Sequence, residues 1–145
     1  MEAFVQTMQV RWSDLDPNFH LRHSVYYDWG AVCRLEFLDK FGLTSEVMLQ
    51  HHFGPILFRE ECVFRKEIRL GDIVTIDLVL QKSRRDYSRW TIQHKIRKNT
   101  DIISAILTVD GAWLDTVKRK LTAPPSDAGN VFGKMPVDEN FTWLD

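Results

Sequence analysis

The feature that most constrains this chain is a run of four long segments rich in β-branched and aromatic residues, preceded by only one long stretch with helical periodicity. The four segments are "ILFREECVFRKEIR", "IVTIDLVLQKS", "YSRWTIQHKIRK" and "IISAILTVDGAWLD", and that composition reads as β-strands. Val74, Ile76, Leu78 and Leu80 alternate with more polar residues, as do Trp90, Ile92, His94 and Ile96. Leu70-Gly71-Asp72 and the Lys98–Asp101 segment supply turn residues, so consecutive strands are expected to be antiparallel neighbours. Ahead of them, Tyr26, Trp29, Cys33, Phe37 and Phe41 recur at spacings of three or four. That spacing predicts a helix over 24–40 with one broad apolar stripe, stopped at Gly42. Gly30 and Ala31 in its middle predict a close backbone approach. Phe4, Met8, Val10 and Trp12 at even positions predict a first strand with one buried face. A strand, a helix and then a series of antiparallel strands specify an α+β domain in which one sheet covers one long helix.

A chain of 145 residues with 44% hydrophobic content can bury a single core. The break at "TAPPSDAGN" divides it into a domain over 1–123 and a C-terminal extension over 124–145. The extension holds Val131, Phe132, Met135, Phe141, Trp143 and Leu144. It is too apolar for a solvated tail, and is expected to dock on the domain or on an oligomer interface. A net charge of -1, with both signs mixed along the chain, excludes the broad basic surface that nucleic-acid binding requires. The N-terminus has no signal-peptide pattern, and no apolar run approaches the ~20 residues of a membrane span. A cytoplasmic protein is expected. Cys33 and Cys62 lack metal or redox spacing and read as buried free thiols in a reducing compartment, neither of them catalytic.

The densest ionisable cluster is "RWSDLDPNFHLRHSVYYDWG", residues 11–30, at the junction between the first strand and the helix. A carboxylate there could cap the helix, hold a loop or act on a substrate. Asp14 and Asp16 alternate, and Asp14 is placed to pair with Arg11. Asp16 precedes a Pro-Asn turn close to a helix N-terminus, where free N–H groups and the helix dipole favour negative charge. His51 and His52 have no third ligand at suitable spacing, so no metal is expected. "KSRRDYSR" and "VKRK" are local basic clusters, either anion-binding or simply solvated.

The Asp-x-Asp junction with its following aromatic-rich helix, together with the "RKEIRLGDIVTIDLVL" hairpin, resembles the hotdog-fold acyl-CoA thioesterases of the 4-hydroxybenzoyl-CoA thioesterase-like family. The resemblance spans Phe4 to Ala123. It implies an antiparallel sheet wrapped around one central helix, and hydrolysis of acyl-CoA to a carboxylic acid and free CoA. By the same resemblance Asp16 is nucleophile or general base, the backbone N–H of His23 is the oxyanion hole, and His20 orients the loop or contacts the thioester. Asp14 and Arg11 would support the loop. Arg84, Arg85, Arg89, Lys118 and Arg119 are the CoA-binding candidates, with no cofactor beyond the CoA of the substrate. Arg22 and His23 depart from the small polar residues that many relatives carry there. The family implies a homodimer or homotetramer. Other readings are a non-catalytic acyl-thioester binding or regulatory module and an acyl-carrier-protein thioesterase. A hotdog dehydratase would centre on a His, against which the Asp-x-Asp pair argues.

Overall fold

A computed structural model describes residues 2–145. The first strand, β1 (Val5–Met8), leads through a short 3-10 turn at Trp12–Asp14 into the long helix α1 (His23–Lys40) and a short helix α2 (Ser45–Gln50). Five strands follow: β2 (Phe53–Phe64), β3 (Val74–Asp77), β4 (Val79–Ser83), β5 (Arg89–Lys98) and β6 (Ile102–Asp115). The chain closes with β7 (Lys120–Thr122), α3 (Ser126–Phe132) and β8 (Val137–Trp143). The strands form one eight-stranded sheet in which β5 pairs with β3, β4 and β6, while β6 also pairs with β2 and β7. All pairings are antiparallel except that of β8 with β4.

The helical period delivers the stripe it promises. Val25, Tyr26, Trp29, Cys33 and Phe37 are buried on α1 against the inward residues of the sheet, among them Val74, Ile76, Leu78, Ile92, Ile96 and Leu107. The stop is a Schellman motif: Gly42 adopts φ +87, its N–H donates to Asp39, and the Leu43 N–H donates to Leu38. Gly30 is required by proximity, because a Cβ there would lie 2.3 Å from Leu107 Cδ2.

Four departures from the sequence expectations have physical causes. Trp12 is 70% exposed, because the strand ends at Met8 and the 3-10 turn rotates the residue outward. The run "IVTIDLVLQKS" is two strands broken at Leu78. The side chain of Asp77 enters the ladder there, accepting from the Lys95 N–H at 2.7 Å and from Arg97 Nη1 at 2.8 Å. Cys62 is only half-buried, because β2 lies at a sheet edge. Among residues 41–52, α2 adds a helix capped by Thr44, whose hydroxyl accepts from the Val47 N–H at 3.2 Å.

Residues 126–143 lie on the sheet. Ala128, Val131, Phe132 and Met135 are buried, and the rings of Trp90 and Trp113 contact Phe132. β8 runs beside β4 with Leu80 opposite Val137 and Ser83 opposite Trp143. No helix among the described residues is long and apolar enough to cross a membrane.

Candidate active site

The junction before α1 is a loop clamped at both ends. On one side Asp14, almost fully buried, accepts from Arg11 Nη2 at 2.8 Å, Arg11 Nε at 3.1 Å and the Arg11 backbone N–H at 3.0 Å. The Arg11 hydrogen bond holds the Asp14 carboxyl below the usual carboxylate range against the opposing effect of burial. On the other side the Leu21 N–H donates to the Ile68 carbonyl, and His20 bridges to Arg69. Between these clamps the backbone doubles back, with Asp16 N–H donating to His20 O at 2.8 Å and Phe19 N–H donating to Asp16 O at 3.0 Å.

Within this turn Asp16 Oδ1 accepts from the N–H groups of Asn18 at 2.8 Å and His20 at 3.1 Å. Oδ2 has no partner among the described residues. The carboxylate is therefore oriented by its own turn with one oxygen left available. α1 begins with Arg22 at the N-cap and has no side-chain cap. Arg22 instead turns outward, Nε donating to Ser24 Oγ at 2.9 Å and Nη1 to the Ser13 carbonyl at 2.5 Å. The N–H of His23, first residue of the helix, has no acceptor among the described residues, and the helix dipole places partial positive charge there.

Asp16, His20 and His23 line one cleft of about 310 Å³ with Tyr26, Phe64 and Lys66. The structure thus brings together the three junction residues marked in the sequence. It also adds a second wall from the end of β2 and the segment after it. Tyr26 packs edge-on to Phe64 with ring centroids 5.0 Å apart. Its phenol is pushed up to about 12, first by burial and then by the groups around it, Cys62, Asp16 and Glu67. The tyrosine stays protonated and can only donate or accept a hydrogen bond. The same holds for the thiols: burial pushes Cys33 up to about 12 and Cys62 up to about 11, so neither is a thiolate near neutrality.

The basic candidates do not join this cleft within the chain. Lys98 at one end of β5 reaches the Glu67 carbonyl, at the rim of the Asp16 cleft. Arg89 stands at the other end of the same ten-residue strand, about 30 Å away at the rise of a β-strand. Arg84 and Arg89 line a separate depression with Leu121, Thr122 and Ala123. Arg85 is engaged by the C-terminus: its backbone N–H donates to Asp145 Oδ1 at 3.0 Å and its guanidinium lies over the Trp143 ring, 5.0 Å from the centroid. Lys118 and Arg119 occupy the exposed turn between β6 and β7. Within one chain these cations therefore lie apart from the Asp16 cleft. Arg65 and Lys66, inside the segment "VFRKEIR", line the Asp16 cleft instead. They had no signal in sequence beyond belonging to a strand-like run. His51 and His52 lie in the turn before β2, and the described residues contain no group of three or more His, Cys, Asp or Glu that could hold a metal.

A sequence profile of the thioesterase-like superfamily matches residues 10–132. The chain belongs to that superfamily, and its fold is the hotdog fold. Solved structures superpose over nearly the whole chain. A hypothetical protein from Staphylococcus aureus in complex with CoA shares 19% identity at a TM-score of 0.86, covering 99% of this chain and 90% of its own. A 1,4-dihydroxy-2-naphthoyl-CoA thioesterase from Synechocystis shares 14% identity at a TM-score of 0.81, covering 92% and 97%. A DHNA-CoA thioesterase from Staphylococcus aureus shares 16% identity at a TM-score of 0.81, covering 92% and 91%. No curated protein sequence gives a significant match.

Proposed function

We propose that this protein is an acyl-CoA thioester hydrolase in which Asp16 performs the chemistry. The observation that carries the reading is a turn-oriented carboxylate with one free oxygen, in the same cleft as the uncapped N-terminus of an 18-residue helix. Membership of the thioesterase-like superfamily and likeness to a CoA complex and to two CoA thioesterases support it.

Asp16 acts on the thioester carbonyl carbon in one of two ways. As nucleophile it forms a mixed anhydride while the C–S bond breaks and CoA leaves as thiolate; water then cleaves the anhydride. As general base it takes a proton from water, whose oxygen adds to the carbonyl before the same C–S bond breaks. Either route yields the carboxylate and free CoA, and either develops negative charge on the carbonyl oxygen. The His23 N–H is the donor for that charge, a contribution of roughly 3 kcal/mol when aligned. The leaving thiol has a pKa of about 8.5 and departs with little help from a general acid, so the site needs no cofactor. His20 and the Asp14–Arg11 pair hold the loop. Arg65 and Lys66 supply cations beside the cleft.

The protein works as a homodimer or a dimer of dimers. β2 is a twelve-residue edge strand that exposes Leu57, Phe58, Val63 and Phe64, the kind of edge that a second copy covers. A neighbouring subunit would also bring Arg84 and Arg89 within reach of a CoA held elsewhere. Free thiols fit a reducing, cytoplasmic setting.

The test is thiol release from a panel of aliphatic and aromatic acyl-CoA esters, repeated with acyl-carrier-protein esters. Asp16→Asn should cut turnover at least about a hundredfold while the far-ultraviolet spectrum and melting temperature stay unchanged. A well-folded variant with near-normal turnover removes Asp16 from the mechanism. No turnover by the parent on any ester, with saturable binding, makes the protein a binding module.

A further inference from the structure

A second, separate hollow lies further along α1. The Asp16 cleft lies where His23 and Tyr26 meet the end of β2. The second, a cavity of about 270 Å³, opens between the middle of α1 and the start of β2, walled by Trp90, Trp113 and Phe132 and by Met48 and Met135. One charged residue lines it, Arg34. From His23 to Arg34 the helix advances about 16 Å, within reach of an acyl chain whose thioester lies at the cleft.

Arg34 is unusual in what it lacks. Its Nη1 lies 3.0 Å from Nε2 of His94, a fully buried histidine whose Nδ1 lies 2.8 Å from the Asp77 carbonyl oxygen. A carbonyl can only accept, so Nδ1 carries the proton and Nε2 accepts from Arg34. This neutral imidazole is the only hydrogen-bond partner of the guanidinium among the described residues, and Arg34 belongs to no ion pair there. The carboxylate that most influences it is Glu60, exposed on β2 and beyond ion-pair distance. A guanidinium cannot shed its charge, and a largely buried one without a counter-ion is costly to hold.

The rest of the lining offers Arg34 no counter-charge. No side chain lining the cavity offers a carboxylate, hydroxyl or amide oxygen. The walls are apolar and aromatic, with the Arg34 guanidinium as their charged donor. A ligand that fits must be apolar along most of its length and bring its own anionic oxygens.

We propose that this cavity receives the far end of an acyl group that terminates in a carboxylate, held by Arg34 through paired N–H···O bonds while His94 fixes the guanidinium from behind. The preferred substrates are then ω-carboxyacyl-CoA esters, half-thioesters of dicarboxylic acids, rather than methyl-terminated esters of equal length. The assignment rests on the thioesterase reading for its reaction but not for its binding site, and the test separates the two. Thiol release is measured with matched pairs of esters, carboxylate-ended and methyl-ended, over a series of chain lengths. At the best length the carboxylate-ended ester should show a kcat/KM at least tenfold higher, carried mainly by KM. Arg34→Gln should remove that ratio, and Arg34→Lys, which keeps the charge but not the fork, should leave an intermediate one.

Equal or inverted preference in the parent at every length overturns the proposal and leaves the thioesterase intact. If neither ester releases thiol, the thioesterase reading fails, and a tryptophan-fluorescence titration of the full chain with the free dicarboxylic acids decides the cavity. Saturable quenching by a dicarboxylate, absent with the monocarboxylic alcohol of the same length, lost in Arg34→Gln and weakened in Arg34→Lys, sustains the site; no difference between the two ligands overturns it.

Discussion

Gly30→Ala offers a test of how tightly α1 lies on the sheet. Alanine is the better helix former, and at an unconstrained mid-helix position the change would stabilise by about 1 kcal/mol. At this position the new methyl would sit 2.3 Å from Leu107 Cδ2 and 3.2 Å from Arg34 Nη1, where carbon pairs normally rest about 3.5 to 4.0 Å apart. Leu107 is fully buried on β6 and His94 packs beside it, so at least an ångström of movement must come from the helix or the strand. Overpacking of this kind costs about 1 to 3 kcal/mol, and the part above the propensity gain remains, a net loss of up to about 2 kcal/mol. For a chain of this length that lowers the melting temperature by up to about 8 °C. Urea unfolding followed by circular dichroism measures the change directly. The double variant with Leu107→Ala should recover part of the loss, because the blocking methyl groups are gone and the two effects are no longer additive. Stabilisation by Gly30→Ala, or strict additivity with Leu107→Ala, would refute the close approach.

Two further outcomes follow from the same core. Burial, then the nearby Arg34 charge, depresses His94 to about 3, so between pH 6.5 and 3 the unfolded chain binds a proton at this residue that the native state does not. Stability must fall as pH drops through that window, by up to about 1.4 kcal/mol per unit; the urea midpoint at pH 5 should lie well below that at pH 7, and His94→Gln should flatten the difference, an equal slope in both proteins excluding His94 as its source. Deleting residues 126–145 removes Val131, Phe132 and Met135 from buried positions, a transfer contribution of about 1.5 to 3 kcal/mol for each large side chain before the entropy of ordering the segment is subtracted. Melting temperature should fall and tryptophan emission shift to the red as Trp90 and Trp113 lose their cover; an unchanged melt would show that the segment contributes nothing.

The main elements were legible because their periods are strong and local. Cys33, Phe37 and the inward residues of β5 declare their faces through spacing alone. Asp77 illustrates the limit. In an alternating run it reads as an outward residue of an unbroken strand, and only the acceptors it offers to Lys95 and Arg97 across the sheet reveal the break. The pairing of β8 with β4 is likewise invisible locally, since it depends on an edge left open by a strand more than fifty residues upstream. At the site, Asp16, His20 and His23 stand within one short stretch and could be read together. Their opposing wall comes from Phe64, Arg65 and Lys66, and nothing in a strand-like run states which of its ends will face a distant loop.

Arg34 was missed for a more instructive reason. On an amphipathic helix an arginine one turn after a glycine reads as part of the solvated face, and its charge agrees with that reading. The structure turns the guanidinium inward because Gly30 leaves the space of a side chain directly above β5 and β6, and because His94 presents a lone pair there. Two signals existed separately: a histidine at an inward position of an otherwise apolar strand, and a glycine in the middle of a helix. Each alone reads as packing. Only their meeting in space makes a cation at the wall of an apolar cavity, and that cavity is completed by Phe132 and Met135 from beyond the proline break. The extension therefore does more than cover the sheet: it builds one wall of the hollow in which Arg34 stands, so the acyl preference proposed for that hollow and the docking of the C-terminal segment would be coupled through the same side chains.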